Sequence, residues 1–261
     1  MGLSIIGIAY SSYQLGFSYA TGSQATAEAR QIYYSSSEEP AEAKPPEAKR
    51  AEARVPAIPA MPSKTTSRLD SLKKITPDVV GWLRLHDTPI DYPIVQAQDN
   101  LYYLNRNYKH EESKSRSIFM DYRNRAEEEN RHTVIYGRNM KDGSMFGQLK
   151  RYADLEFFRT HPAFTFDTLY ESYVAEVFSV YYTTTDVDYI RTQFDTDAEY
   201  EAFVQDIRER SLYPSDVSLS ADSLIITLST CDSTMDKEAG RLAVHAKLTK
   251  LAKEDGAGRS E

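Results

Sequence analysis

The hydrophobic and polar positions change period three times along the chain. The first charged residue is Glu28, and before it runs an uncharged, apolar-leaning stretch from Gly2 to Ala20. At about 1.5 Å per residue, a helix over that stretch reaches nearly across the hydrocarbon core of a bilayer. Residues 1–22 are therefore expected to form a membrane anchor or signal-like segment. Tyr13 and Tyr19 suit an interface, but four serines and a glutamine make the stretch polar for a span. No Lys or Arg precedes it, so neither a signal-peptide n-region nor a positive-inside flank is complete. A degenerate signal peptide and a disordered apolar end are the other readings. A start codon assigned too late would account for the missing basic flank.

Residues 23–66 lose the apolar pattern. Ala41-Glu42-Ala43-Lys44, Pro46-Glu47-Ala48-Lys49 and Ala51-Glu52-Ala53-Arg54 repeat at five-residue spacing, among prolines at 40, 45, 46, 56, 59 and 62. Glu/Ala/Lys units lean helical while prolines impose extended stretches, which predicts a semi-rigid stalk with no core of its own.

A folded domain is expected over 67–252, followed by a disordered tail at 253–261. Leu69, Leu72 and Ile75 sit at helical spacing, and Thr76-Pro77 reads as an N-cap with proline at the first helical position, opening a second short helix through Trp82. Strand-like runs follow at Pro93–Gln96, Ser117–Tyr122, Thr133–Gly137, Ala163–Asp167, Tyr170–Thr183, Ser223–Cys231 and Arg241–Leu251, rich in β-branched and aromatic residues and bounded by Asn, Asp, Gly and Pro. A short helix is predicted around Met145–Tyr152. A longer one is predicted over Asp197–Ser211, with Tyr200, Phe203, Val204 and Ile207 on one face. Many strands with few helices predict a mainly β barrel or sandwich rather than a doubly wound sheet.

Composition narrows the chemistry. With 31 basic against 39 acidic residues the formal net charge is −8, which argues against a broad basic surface for nucleic acid. Cys231 is the only cysteine, so no disulfide within the chain, cysteine-rich zinc site or iron–sulfur cluster is possible. No HExxH, P-loop or GxGxxG occurs, Glu127-Glu128-Glu129 reads as a solvated loop, and no cofactor or metal is expected.

Leu224-Ile225-Ile226-Thr227-Leu228-Ser229-Thr230-Cys231 reads as a buried strand ending on the thiol. A polar loop runs from Asp232 to Gly240, and a strand opens at Arg241. Hairpin geometry brings that arginine back beside Cys231. A guanidinium there favours a thiolate and stabilises an oxyanion formed by thiolate attack on a carbonyl. Spacing alone favours the plainer alternative, a buried inert cysteine beside an arginine at the start of an exposed strand.

Thr227-Leu228-Ser229-Thr230-Cys231, with Arg241 ten residues on, resembles the active-site signature of sortases, the cysteine transpeptidases of Gram-positive cell surfaces. Ser117–Asn124, Thr133–Gly137, Thr183–Asp186, Tyr189–Thr192 and the helix at Asp197–Ser211 resemble class B members in particular. The resemblance runs from about Leu69 to Leu251 and takes in the plan of anchor and stalk. It implies a closed eight-stranded β-barrel with short N-terminal helices and one helix inserted between two late strands. It also implies a Cys231 nucleophile that attacks the threonine carbonyl of a C-terminal, NPQTN-like sorting signal on secreted proteins and forms a thioester. Arg241 would stabilise the oxyanion, and Thr230 and Ser229 would contact substrate. An amine of a peptidoglycan precursor or a pilin-like acceptor would resolve the thioester. Class B members often anchor haem-uptake proteins, and some build pili. Anchor and family together imply a single-pass protein on the outer face of the plasma membrane, with its catalytic domain outward.

One position departs from the family. The catalytic histidine of sortases follows the Tyr-Gly that matches Tyr136-Gly137, and this chain has Arg138 there. An imidazole gives a proton to a leaving amine near neutral pH, whereas a guanidinium does not. His132 shares a strand face with Arg138 but stands about 20 Å away, and His245 is about 13 Å from Arg241. His110 and His161 fall in loops. None is a convincing substitute. Two expectations follow: a transpeptidase slowed by a missing general acid, or a pseudoenzyme that binds sorting peptides without turnover. Two arginines converging on one thiol would also repel unless the thiolate or a carboxylate such as Asp232 lies between them. A papain-like protease fits poorly, because its cysteine opens a helix near the mature N-terminus.

Overall fold

The computed structural model of the protein describes residues 22–35 and 65–251. Its strands are β1 (Val79–Arg84), β2 (Asp91–Val95), β3 (Ile118–Met120), β4 (His132–Tyr136), β5 (Ala163–Thr168), β6 (Ser172–Thr184), β7 (Leu224–Cys231) and β8 (Gly240–Lys250). They close into a barrel in the order β1-β2-β3-β4-β7-β8-β6-β5. The β2–β3 and β4–β7 pairs are parallel and the others antiparallel. Eight strands leave an interior that side chains fill. Leu83, Ile94, Ile135, Phe164, Ile226, Leu228 and Val244 are among those packed there.

The β1 segment was expected to be helical through Trp82 and is a strand instead. Thr76-Pro77 opens a turn, closed by the Val79 N–H on the Thr76 carbonyl at 3.2 Å. After it, Val79 and Val80 favour extended backbone. Gly81 then runs so close to β5 that a Cβ would stand 2.5 Å from the Asp167 carbonyl oxygen. Burial on both faces, with Leu83 in the barrel and Trp82 outside it, masks the alternation that normally marks a strand.

The stalk expected from residue 23 is likewise altered. Residues 22–35 form a helix, α1, that buries Ala25, Ala29 and Tyr33 against the outside of the barrel. The Tyr33 ring stacks on Trp82 at 4.1 Å between centroids and its hydroxyl donates to Asp167. Arg68 lies over the same ring, and Arg30 donates to the carbonyls of Asp91 and Pro89. A second helix, α2 (Thr65–Lys73), brings Leu69 and Leu72 into this cluster, whereas Ile75 lies beyond its end and is exposed. Residues 36–64, with the Ala/Glu/Lys repeats, and the tail at 253–261 lie outside the described residues.

Among the described residues no helix is long and apolar enough to cross a membrane. That finding corrects the single-pass, outward-facing placement expected above, and with it the plasma membrane as a partner through the N-terminal segment. The apolar stretch at 1–20, on which that expectation rested, lies outside the described residues.

Two more helices complete the frame. A short one, α3 (Leu155–Thr160), is capped by Asp154, whose side chain accepts from the Phe157 N–H, and it follows a 3-10 turn at Leu149–Ala153 where a helix was expected. The expected late helix is α4 (Asp197–Glu209). Thr196 caps it by accepting from the Glu199 N–H at 3.2 Å, and Tyr200, Phe203, Val204 and Ile207 all point inward. This face lies over Ile225 of β7 and Ala243 of β8, so the insertion between β6 and β7 roofs the outer wall of the barrel.

Beneath that roof a polar chain crosses the wall. His132 Nδ1 is 2.6 Å from the Arg191 carbonyl, which can only accept, so that nitrogen carries the proton. His132 Nε2 then accepts from the Thr227 hydroxyl, 2.6 Å away. Thr227 in turn accepts from His245 Nδ1 at 2.6 Å, and His245 Nε2 accepts from Tyr181 at 3.1 Å. With both rings neutral every member of the chain is satisfied, and burial is what favours that state. Burial lowers the His132 pKa to about 4, and burial with the neighbouring His132 holds His245 well below the ordinary imidazole value.

Two outcomes are expected. The unfolded state protonates His132 near 6.5 and the folded state near 4, so stability is full above pH 6.5 and falls as pH drops toward 4. The loss from His132 alone is about 3 kcal/mol. Asp167, whose carboxyl burial raises, contributes with the opposite sign, so urea unfolding is compared in an Asp167→Asn background. A flat profile from pH 7 to 5 would contradict the neutral chain. Separately, Tyr33→Ala removes a buried stacked ring and lowers the unfolding free energy by about 3–5 kcal/mol, read by urea denaturation.

Candidate active site

Parallel strands finish at the same edge of a sheet, and the β4–β7 pair uses this to build the site. Tyr136 is in register with Ser229 at the ends of the two strands. Past those ends the chains stay joined: the Gly137 N–H donates to the Ser229 carbonyl at 3.2 Å, Thr230 Oγ1 to the Gly137 carbonyl at 2.8 Å, and Asn139 Nδ2 to the Cys231 carbonyl at 3.0 Å. The antiparallel return of β8 sets Arg241 directly opposite Cys231. Side chains two apart on a strand share a face, so Thr227, Ser229 and Cys231 point outward together, as do Tyr136 and Arg138.

The rim holds a cavity of about 310 Å³, open to solvent and lined by Cys231, Arg241, Arg138, Ser229, Thr230 and Gly137 from the ends of β4, β7 and β8 and the segments beside them. Asn100, Leu101, Leu104, Arg116, Ser117, Phe119 and Tyr136 complete the lining. Cys231 is exposed, whereas Ser229 and Thr230 are buried. Leu101 and Leu104 stand exposed at the mouth, an apolar margin suited to an extended peptide. The five residues singled out from the sequence, Cys231, Arg241, Arg138, Thr230 and Ser229, therefore meet at one place.

Their partners differ. Arg241 donates from one terminal nitrogen to the carbonyls of Gly240 at 2.8 Å and Glu238 at 3.2 Å. Arg138 donates to the Lys114 carbonyl at 2.8 Å, on the loop before β3. Ser229 Oγ is 2.8 Å from the Tyr189 hydroxyl, which belongs to the β6–β7 insertion. Asp232 does not sit between the arginines, because its carboxylate accepts from the Thr234 N–H at 2.7 Å in its own loop.

No histidine lines the cavity. His132 and His245 belong to the buried chain under α4, His110 bonds the Tyr102 hydroxyl at 3.0 Å, and His161 stacks on Phe157. Tyr136 offers no substitute, since burial and then the Asp121 charge push its hydroxyl far above the ordinary tyrosine value. Among the described residues no group of three or more His, Cys, Asp or Glu could hold a metal ion.

Sequence reading missed two residues here. Arg116 arrives on a loop with φ of +64°, and no spacing rule ties it to Cys231. Asp121 lay inside a recognised segment, but its part is visible only in three dimensions. Its fully buried carboxylate accepts from Arg123 at 2.9 Å, Tyr136 at 2.8 Å and Asn100 at 3.0 Å. Burial pushes this carboxyl up, but those bonds outweigh it and hold the pKa below the ordinary value. Asp121 thereby fixes two residues of the cavity wall.

A closed eight-stranded barrel that presents its single thiol at a strand end, with an arginine in register opposite, has the architecture of the cysteine transpeptidases. Residues 83–249 match the Sortase domain family. The chain is 48% identical over 180 residues to sortase B of Listeria monocytogenes, covering 69% of this chain and 73% of that protein. It is 38% identical over 185 residues to sortase B of Staphylococcus aureus, covering 71% and 76%. Among solved structures, sortase B from Bacillus anthracis in complex with AAEK2 matches with a TM-score of 0.74 at 45% identity, over 90% of this chain and 98% of that one. The chain belongs to the sortase family, in its class B, and is by that membership a sortase transpeptidase.

Asp121→Asn is expected to weaken a buried charge-assisted network and lower stability by about 1.5–3 kcal/mol. The Tyr136 pKa falls with it, because the carboxylate that raises it is gone. Urea unfolding and ultraviolet titration of tyrosine check the two effects.

Proposed function

We propose that the protein is a class B sortase-type cysteine transpeptidase in which Cys231 is the nucleophile and Arg241 the oxyanion and substrate partner. The substrate would be a secreted protein with a C-terminal, NPQTN-like sorting signal. The acceptor would be an amine of a peptidoglycan precursor or of a pilin-like protein. The observation that carries the reading is the register pairing of an exposed Cys231 with Arg241 at the rim of the cavity.

The sulfur of Cys231 attacks the threonine carbonyl carbon, and the negative charge that develops on its oxygen meets the Arg241 guanidinium. Collapse of the tetrahedral intermediate breaks the carbon–nitrogen bond, and the leaving amine takes up a proton. The acceptor amine then attacks the thioester carbonyl, loses a proton and releases the thiolate. Thr230 and Ser229 border the peptide at the end of β7.

Arg138 stands where the family places its histidine, so proton delivery to the leaving amine falls to solvent. Losing a positioned general acid costs about 10²–10⁴ in rate. The lack of any imidazole along the cavity also favours a second reading, a domain that binds sorting peptides without turning them over.

Sorting peptides assayed with wild type, Cys231→Ala, Arg241→Ala and Arg138→His distinguish these. Arg138→His is expected to raise amine transfer about 10²-fold or more, and Cys231→Ala to abolish it. Fast turnover by wild type with no gain in Arg138→His would overturn the role given to position 138. A vinyl sulfone peptide that leaves Cys231 unlabelled would favour the binding domain.

A further inference from the structure

Three arginines from three elements converge on the cavity beside Cys231: Arg116 before β3, Arg138 after β4 and Arg241 opening β8. Among the described residues no Asp or Glu lines that cavity. Of the twelve other described arginines six, Arg30, Arg123, Arg125, Arg131, Arg191 and Arg210, pair with a carboxylate, in a protein of net charge −8. The three at the cavity do not, among the described residues; Arg138 and Arg241 reach only backbone carbonyls, which occupy a minority of five donors apiece.

The concentration of charge is held against opposition. Arg116 keeps a left-handed backbone at φ +64°, a conformation unfavourable for a side chain with a Cβ. Burial, then the charge of Arg138, lowers its pKa, while Cys231 acts in the opposite sense. Cations gathered at one rim repel, and a Cys231 thiolate offsets only one of their three charges, which leaves room for a second anion.

We infer that this cavity receives a carboxylate, and that among NPQTN-like signals the chain prefers those in which Asp replaces the Asn that follows the threonine whose carbonyl meets Cys231. The preference for a peptide rests on the transpeptidase reading; the anion site itself does not. Arg116 and Arg138, neither of which belongs to β8, supply the charge, and Arg241 remains with the oxyanion.

Alkylation of Cys231 tests the site without turnover. Iodoacetate and iodoacetamide react at the same sulfur and differ in one carboxylate, so the ratio of their rate constants cancels any change in thiolate fraction. That ratio is expected to fall about fivefold in Arg116→Gln and again in Arg138→Gln, the factor one charge contributes at a few ångströms in water. It should stay level in Arg125→Gln, and added salt should compress it. A ratio unmoved in both cavity variants would overturn the anion site. In a second arm, two sorting peptides that differ only as Asp or Asn after the threonine are compared for protection of Cys231 from iodoacetamide. Stronger protection by the Asp peptide supports the preference, and equal protection refutes it. If neither peptide protects, the peptide-binding reading fails, while the alkylation ratio still decides the anion site.

Discussion

The parallel pairing of β4 with β7 is the constraint on which the site depends. Antiparallel neighbours would have sent the segment after Tyr136 and the thiol at the end of β7 to opposite ends of the barrel. Running in the same direction, they stop together, and three hydrogen bonds from Gly137, Thr230 and Asn139 keep the emerging chains side by side. The return of β8 then places Arg241 at the same rim with no further device. Closure of the barrel makes this arrangement stiff, because β4 and β7 each have a second neighbour holding them in register.

The same two strands carry a polar chain lower in the wall. Threonine and histidine in a buried sheet are costly unless every donor meets an acceptor. Here the Arg191 carbonyl fixes one tautomer, and the direction of each later bond follows from it. Two histidines that spacing placed away from the thiol thus have a complete structural occupation, which accounts for their absence from the cavity. The acid sensitivity they confer belongs to the fold and not to the rim.

Most of the barrel could be read from β-branched and aromatic runs between turn residues, and α4 from its four apolar positions. Hairpin spacing put Arg241 near Cys231 but left an inert thiol the plainer reading, and it was the resemblance of Thr227–Cys231 with Arg241 to the sortase signature that pointed to a nucleophile. What escaped reading depends on partners far along the chain. The helix at 22–35 has few large apolar residues, and its burial is decided by Trp82 and Asp167. For β1, a local Thr-Pro signal competed with a strand that becomes evident only when Gly81 is seen against β5. Arg116 and Asp121 act on residues from other loops and strands, and no periodicity encodes such meetings.

Where chemistry begins along β7 is set by where the roof ends. Ile225 and Thr227 lie under the insertion that carries α4, in dry surroundings that force imidazoles to stay neutral. Ser229 is the next outward residue, and the Tyr189 hydroxyl of the insertion meets it. Cys231, two residues further, is exposed. About 7 Å of strand separates each of these outward positions from the next. The Tyr189–Ser229 contact is therefore the border between a wall that must satisfy its polar groups internally and a rim that offers them to a ligand. Arginines suit the outer side of that border, since their charge is tolerated in water and still reaches the thiol.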